Sequence, residues 1–215
     1  MTRIGRGLIL DLFGVLVSGN SRTIYEELVL KPRLAIDYGV WSDLYTKASS
    51  GDIDYRTFVE NLAAQISILP DVLESKLEDV ISKSVGIINS GDSFISRLRK
   101  TEVPFVILTN SISAWVEIIL GELMMRGLTS RTIISSAIRV RKPQPKAYLL
   151  AAEAVGRRAQ DLVYVGDENE DMKGAKDVGM YCVFIAGEDQ DSPSCDHQIS
   201  ELSDIFDLSS LRLEP

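Results

Sequence analysis

Cysteine is nearly missing from this chain: Cys182 and Cys195 are the whole complement. Two thiols without a secretory context predict reduced structural cysteines rather than a disulfide framework. Histidine is scarcer still. His197 is the sole one and lies late in the sequence, which assigns it a surface or strand-end role and leaves the chemistry to other residues. No apolar run reaches the length of a membrane span, and the opening Met-Thr-Arg-Ile-Gly-Arg-Gly lacks the apolar stretch and cleavage site of a signal peptide. The expected location is cytoplasmic, with no membrane partner. Positive charge is also in deficit: 23 Lys and Arg stand against 31 Asp and Glu, a net charge of −8. Nucleic acid is excluded as a partner on that ground, because its binding needs a basic stripe that neutralises many phosphates. An anionic ligand would need local positive charge. Internal repeats, low-complexity tracts and flexible linkers are absent as well.

What is present is an ordinary globular composition, 45% hydrophobic and 25% charged over 215 residues. That suits one substantial domain, or one domain carrying an insert. Five short apolar runs, at 7–10, 103–108, 133–138, 162–165 and 180–185, read as buried strands. The later runs alternate with helical patterns at 112–125, 145–155 and 171–178, the rhythm of a parallel βαβ sheet. A short segment at 197–199 and a helix near 201–208 close the pattern. About ninety residues separate the first two runs, far more than one crossover helix needs. They read as helical: 25–30, 36–45, then Tyr55, Phe58, Val59, Leu62, Ala63 and Ile66 at helical spacing after Asp52 or Asp54, and Leu73, Leu77, Val80 and Ile81 after Pro70-Asp71. The prediction is an α/β protein with a four-helix cap inserted at 17–88.

Four polar sites fall at equivalent places, each at the end of an apolar run. Asp11 follows Leu8-Ile9-Leu10 and precedes the turn around Gly14. Ligands of open α/β sheets bind beyond the carboxyl ends of the strands, so this carboxylate stands where a nucleophile would. Thr109, Asn110 and Ser111 end the second run just before a helix, offering hydroxyl, amide and backbone donors to a phosphate or carboxylate. Lys142 lies in Arg-Lys-Pro-Gln-Pro, where proline restricts the chain and starts the next helix. Asp167 and Asp171 bracket the turn after Val163-Tyr164-Val165-Gly166, as hard oxygen ligands of the kind magnesium prefers; Glu168 and Glu170 read as solvent-facing. Together the four sites suit phosphoryl transfer through a covalent aspartyl intermediate. A carboxylate and a phosphate dianion repel each other, more so in a pocket of low dielectric. Mg2+ held by Asp11, Asp167 and the backbone carbonyl of Phe13 would offset that repulsion, while Lys142 and Thr109 hold the nucleophile and the phosphoryl oxygens. Trp41 and Trp115 sit at helical positions and read as packing residues.

The order and context of these sites resemble the haloacid dehalogenase superfamily, from residue 7 to residue 185. The resemblance implies a Rossmann-like core, residues 1–16 and 89–215, with the cap at 17–88. It makes Asp11 the nucleophile, Thr109 and Lys142 catalytic, Thr109, Asn110 and Lys142 substrate-binding, and Asp11, Phe13, Asp167 and Asp171 the metal set. The activity implied is a Mg2+-dependent phosphatase acting on a small phosphorylated metabolite, as a monomer or homodimer. One departure matters. Phosphatases resembling this family usually carry a second aspartate two residues after the nucleophile, as acid for the leaving group; here that residue is Phe13. Haloacid dehalogenases commonly place an aromatic there, because halide needs no proton. Those dehalogenases lack the acid matched by Asp167, and their substrate arginine in the cap finds only a loose counterpart in Arg33. A 2-haloacid dehalogenase and a weakly active member that binds a ligand or a protein are therefore the alternative readings.

Overall fold

Residues on adjacent positions of a strand face opposite sides of its sheet, and here both sides are apolar. In the computed structural model, which describes residues 3–5, 7–88, 90–123, 125–186, 194–208 and 211–213, strand β2 (Leu8–Leu10) is wholly buried. Its Leu8 and Leu10 enter one hydrophobic cluster and Ile9 enters another on the far side. The same alternation runs through β3 (Phe105–Thr109), β5 (Val163–Gly166) and β6 (Tyr181–Ile185). With β4 (Thr132–Ile134) and β7 (His197–Ile199) these strands form a six-stranded parallel sheet in the order β4-β3-β2-β5-β6-β7. The strand carrying Asp11 therefore lies at the middle, between β3 and β5, where the winding reverses. A separate parallel pair joins β1 (Arg3–Gly5) to β8 (Leu211–Leu213), which no sequence pattern announced.

One face of the sheet is covered by α8 (Pro145–Val155) and α9 (Asn169–Asp177), whose small residues Ala147, Ala151, Ala152 and Ala175 let the helices approach closely. The other face meets α5 (Gly91–Thr101), α6 (Ser113–Glu122) and the inserted helices. The insert begins with α1 (Ser21–Tyr25), which Asn20 caps by accepting from the N–H groups of Arg22 and Thr23; a π-helical turn, Glu26–Leu30, continues it. Next come α2 (Tyr38–Ser50), capped by Asp37 and closed by left-handed Gly51, α3 (Tyr55–Gln65), capped by Asp54, and α4 (Pro70–Ser84), started by proline. This is the four-helix cap, and it is not loosely hung. Trp115 of α6 packs its ring against Trp41, Tyr45 and Phe58 of the cap, at centroid distances of 6.0, 5.2 and 5.9 Å. Both tryptophans are fully buried, as their helical positions implied.

Three expectations needed revision. The run at 133–138 is not one strand: after β4 the chain turns into a short helix, α7 (Ser135–Ile138). Ser135 has another use for its hydroxyl, accepting from the N–H of Ser111 at 3.0 Å and donating to the carbonyl of Ser49 at 2.5 Å. A one-turn contact across three segments outweighs the β propensity of the isoleucines. The helix near 201–208 is a 3-10 turn, Leu202–Asp207, and helix α5 had no expected counterpart. No disulfide joins Cys182, which is buried, to Cys195, and His197 stands half-buried on β7.

Candidate active site

The carboxyl ends of β2, β3 and β5, together with the Arg141–Lys142 segment, converge on one cleft of about 660 Å³, roofed by Ser18 to Thr23, Tyr38 and Tyr45. Asp11 leaves β2 with its backbone N–H bonded to Val165 at 2.9 Å, and its Oδ1 accepts from the N–H of Leu12 at 2.8 Å. The other carboxylate oxygen, Oδ2, accepts from Lys142 Nζ. The same ammonium lies 2.6 Å from Asp171 Oδ2 and donates to the Tyr164 hydroxyl at 3.0 Å. Lys142 is thereby a fully engaged buried cation, 4% exposed, with carboxylates on two sides. Burial alone would lower its pKa; Asp11 and Asp171 outweigh that and hold it above the usual lysine range.

The acids have the opposite problem. Burial raises the Asp11 carboxyl, with Asp171 and Asp167 adding to the rise and Lys142 opposing it. Asp167 is raised to about 6, first by burial and then by the charge of Glu168. The ion pairs of the site join Lys142 to Asp11 and Asp171, and among the described residues none reaches Asp167. Asp167 instead rests on the turn after the nucleophile: a Cβ added to Gly14, whose φ is +72°, would lie 1.8 Å from Asp167 Oδ2. A glycine is required there by backbone and by space alike.

Thr109 ends β3 fully buried inside the cleft lining, and its Oγ1 has no hydrogen-bond partner. A buried orphan hydroxyl costs stability, which fits a group awaiting a ligand oxygen. Asn110 departs from the expected substrate contact. Its side-chain amide donates to the carbonyl of Lys142 at 3.0 Å and accepts from the N–H of Lys142 at 2.9 Å, so it grips the lysine's own backbone. Asp171 also departs from its expected place. Its carboxylate is turned to Lys142 and Tyr164 and does not stand open as a third metal ligand, and among the described residues no three acid, histidine or cysteine side chains form a ready metal cage.

For a magnesium ion the fit therefore rests on Asp11, Asp167 and the carbonyl of Phe13, hard oxygens at a point where buried negative charge exceeds positive. The residues fit such an ion. Glu168 and Glu170 are exposed as read from the sequence, though Glu168 also lines the cleft edge. Arg33 is exposed and outside the lining, whereas Arg22 and Arg141 line it. Tyr164 and Tyr148 were missed entirely. Tyr164 reads as a strand residue, yet its hydroxyl bridges Lys142 and, at 3.3 Å, Asp171 Oδ2, while the Tyr148 hydroxyl donates to the carbonyl of Asp171 at 2.9 Å. The available signal was strand parity: Tyr164 alternates with Val163 and Val165 and turns to the face that α8 covers.

The haloacid dehalogenase-like hydrolase family matches residues 9–185. Phosphoglycolate phosphatase from Xanthomonas campestris pv. campestris is 27% identical over 118 residues, covering 55% of this chain and 53% of that protein. The enzyme of the same name from Pectobacterium atrosepticum is 24% identical over 155 residues, covering 70% and 66%. The matched stretch thus spans about half the length of the first of these relatives. Among solved structures, a HAD family hydrolase from Deinococcus radiodurans R1 with bound phosphate and sodium superposes with a TM-score of 0.65 at 18% identity over 95% of each chain. L-2-haloacid dehalogenase from Xanthobacter autotrophicus with chloropropionic acid covalently bound gives 0.69 at 15% identity, covering 95% of this chain and 98% of that one. Such distant likenesses speak for the fold. The match over 9–185, which takes in Asp11, Thr109, Lys142 and Asp167, makes this chain a member of the haloacid dehalogenase-like hydrolase family.

Proposed function

We propose that the chain is a magnesium-dependent phosphatase of small phosphorylated metabolites, with Asp11 as nucleophile, a core of 1–16 and 89–215, and 17–88 as its cap. The observation that carries this reading is the charge balance of the cleft floor, where Asp11 and Asp171 share the Lys142 ammonium and, among the described residues, no ion pair reaches Asp167. A floor that is short of positive charge and lined by an orphan threonine hydroxyl suits a divalent cation together with a phosphoryl group. The bound ion would supply positive charge to the nucleophile and the phosphoryl oxygens, held by Asp11, Asp167 and the Phe13 carbonyl. Asp11 Oδ2 attacks phosphorus, and the bond from phosphorus to the leaving oxygen breaks with its electron pair on that oxygen. Lys142 holds Asp11 and offsets the charge that gathers there, and the Thr109 hydroxyl donates one hydrogen bond to a phosphoryl oxygen. Water then attacks the phosphorus of the aspartyl phosphate, the bond from phosphorus to Oδ2 breaks with its electron pair on Asp11, inorganic phosphate leaves, and the proton that the water gives up balances the one that the leaving oxygen takes up. The whole reaction consumes one water and requires no redox partner. The phosphoglycolate phosphatases among the relatives support this class of substrate.

One observation favours the dehalogenase instead, the aromatic Phe13 beside the nucleophile. The two readings separate in a single experiment: phosphorylated metabolites and 2-haloacids are assayed side by side, each with and without chelator. Phosphate release that stops with chelator, and that is abolished in Asp11→Asn, is the expected result, because the amide cannot form the covalent intermediate. Halide release that survives chelation would replace the phosphatase reading, and steady-state hydrolysis by pure D11N would remove Asp11 as nucleophile.

A further inference from the structure

We infer that Tyr45 and Arg141 are positioning residues, a two-point latch through which cap helix α2 fixes the loop that carries Lys142. The inference rests on the phosphatase reading only for the role of the lysine, not for the latch. Lys142 owes its place to its backbone, and that backbone is held by the Asn110 amide at both its N–H and its carbonyl. Asn110 is in turn held from the cap: the Tyr45 hydroxyl donates to its main-chain carbonyl at 3.1 Å. On the other side of the lysine, the Arg141 guanidinium donates to Ser49 Oγ at 2.7 Å and to the carbonyl of Thr46 at 3.3 Å. Tyr45, Thr46 and Ser49 occupy adjoining turns of one helix. A single cap element thus reaches both loops that define the lysine.

Burial strengthens these contacts. Tyr45 and Ser49 are buried, and the Tyr45 ring lies tilted against Trp115 of the core with centroids 5.2 Å apart, so water does not compete easily for the hydroxyl. The consequence for chemistry is geometric. An ammonium that must sit between Asp11 and Asp171 loses its effect when displaced by as little as about 1 Å, and the core alone restrains it through Asn110 and Tyr164. Neither latch residue has to touch substrate for this; each acts through the loop.

The test follows backbone amide exchange across residues 140–144 in Tyr45→Phe and Arg141→Gln, beside steady-state kinetics on p-nitrophenyl phosphate. Tyr45→Phe keeps the ring and removes only the hydroxyl. In both variants exchange at the Lys142 amide should quicken several-fold while β2 and β3 stay as in wild type. Losing one hydrogen bond of ordinary strength should lower kcat about five- to tenfold, with KM within about twofold of wild type. Wild-type exchange at Lys142 in both variants overturns the latch. So does faster exchange with kcat unchanged, and so does a KM rise with kcat retained, which would make Tyr45 a substrate contact. Arg141→Gln lies on a partly exposed side chain and keeps the question open to measurement if Tyr45→Phe does not fold. Should the wild type hydrolyse no phosphate ester at all, the phosphatase reading fails, while the exchange measurement still decides the latch.

Discussion

Gly14 and Phe13 are neighbours with opposite lessons. Gly14 is held by two constraints at once, a positive φ and an Asp167 carboxylate in the space a side chain would fill. Gly14→Ala should cost about 1 kcal/mol or more from the left-handed backbone alone, and should displace Asp167 as well. The expected outcome is a folded protein of lower melting temperature that needs more magnesium for half-maximal rate; wild-type magnesium dependence would show that Asp167 tolerates the move. Phe13 concerns chemistry. It lines the cleft and packs on the larger core cluster, so no carboxyl stands there to protonate a leaving group. General acid catalysis contributes about 10²- to 10⁴-fold, so substrates with good leaving groups, aryl and acyl phosphates, should outrun alkyl phosphates. Phe13→Asp should narrow that gap by improving the alkyl esters. A wild-type rate that ignores leaving-group pKa, with chemistry rate-limiting, would mean that the proton comes from elsewhere. Phe13 was legible in the sequence; the reason for Gly14 was not, because the acid that crowds it comes from the end of another strand.

At the scale of elements, the joint between cap and core is an aromatic one. Trp115 of α6 meets Trp41, Tyr45 and Phe58 from α2 and α3, all within one buried cluster. Trp115→Ala should therefore cost about 3–5 kcal/mol through lost burial and the cavity left behind, read as a fall in the denaturant midpoint. A loss under about 1 kcal/mol would show that the site collapses and that the cap does not depend on this ring. Helical periodicity announced α3 and α4, since apolar residues at i, i+3 and i+4 declare a buried stripe; of the other two expected helices, 25–30 falls on the π-helical turn after α1 and 36–45 on the first part of α2. Periodicity did not announce what that stripe meets. Helix starts were legible where Asp54 and Pro70 mark them, and illegible at α7, where Ser135 leaves a strand-like run to bond Ser111 and Ser49.

Across the whole molecule, charge rather than packing sets the response to pH. Asp167 titrates near 3.8 in an unfolded chain and is raised to about 6 in the folded one. A carboxyl raised on folding favours the protonated state, so its stabilising contribution is full at low pH and is lost as pH rises toward the folded value. In chelator, wild type should therefore lose stability relative to Asp167→Asn between about pH 4 and about pH 6. Magnesium should restore wild type above that window and do less for the variant. Parallel melting curves with and without magnesium check this, and coincident pH profiles would remove Asp167 from both the electrostatic argument and the metal set.

The α/β architecture, the inserted helices, and the strand-end positions of Asp11, Thr109 and Asp167 are legible in local pattern: apolar runs of strand length, helical spacing, and polar residues where a strand stops; Lys142, read after a fifth such run, follows the short helix α7 instead. What those residues do to one another is set by contacts between distant parts of the chain. The tertiary structure turned Asp171 toward Lys142, spent the Asn110 amide on the lysine's backbone, brought Tyr164 and Tyr148 under the same acid, and set Tyr45 and Arg141 against the loops from the cap. Those pairings join residues far apart in the chain, and local periodicity carries no information about which distant polar group a buried charge will meet.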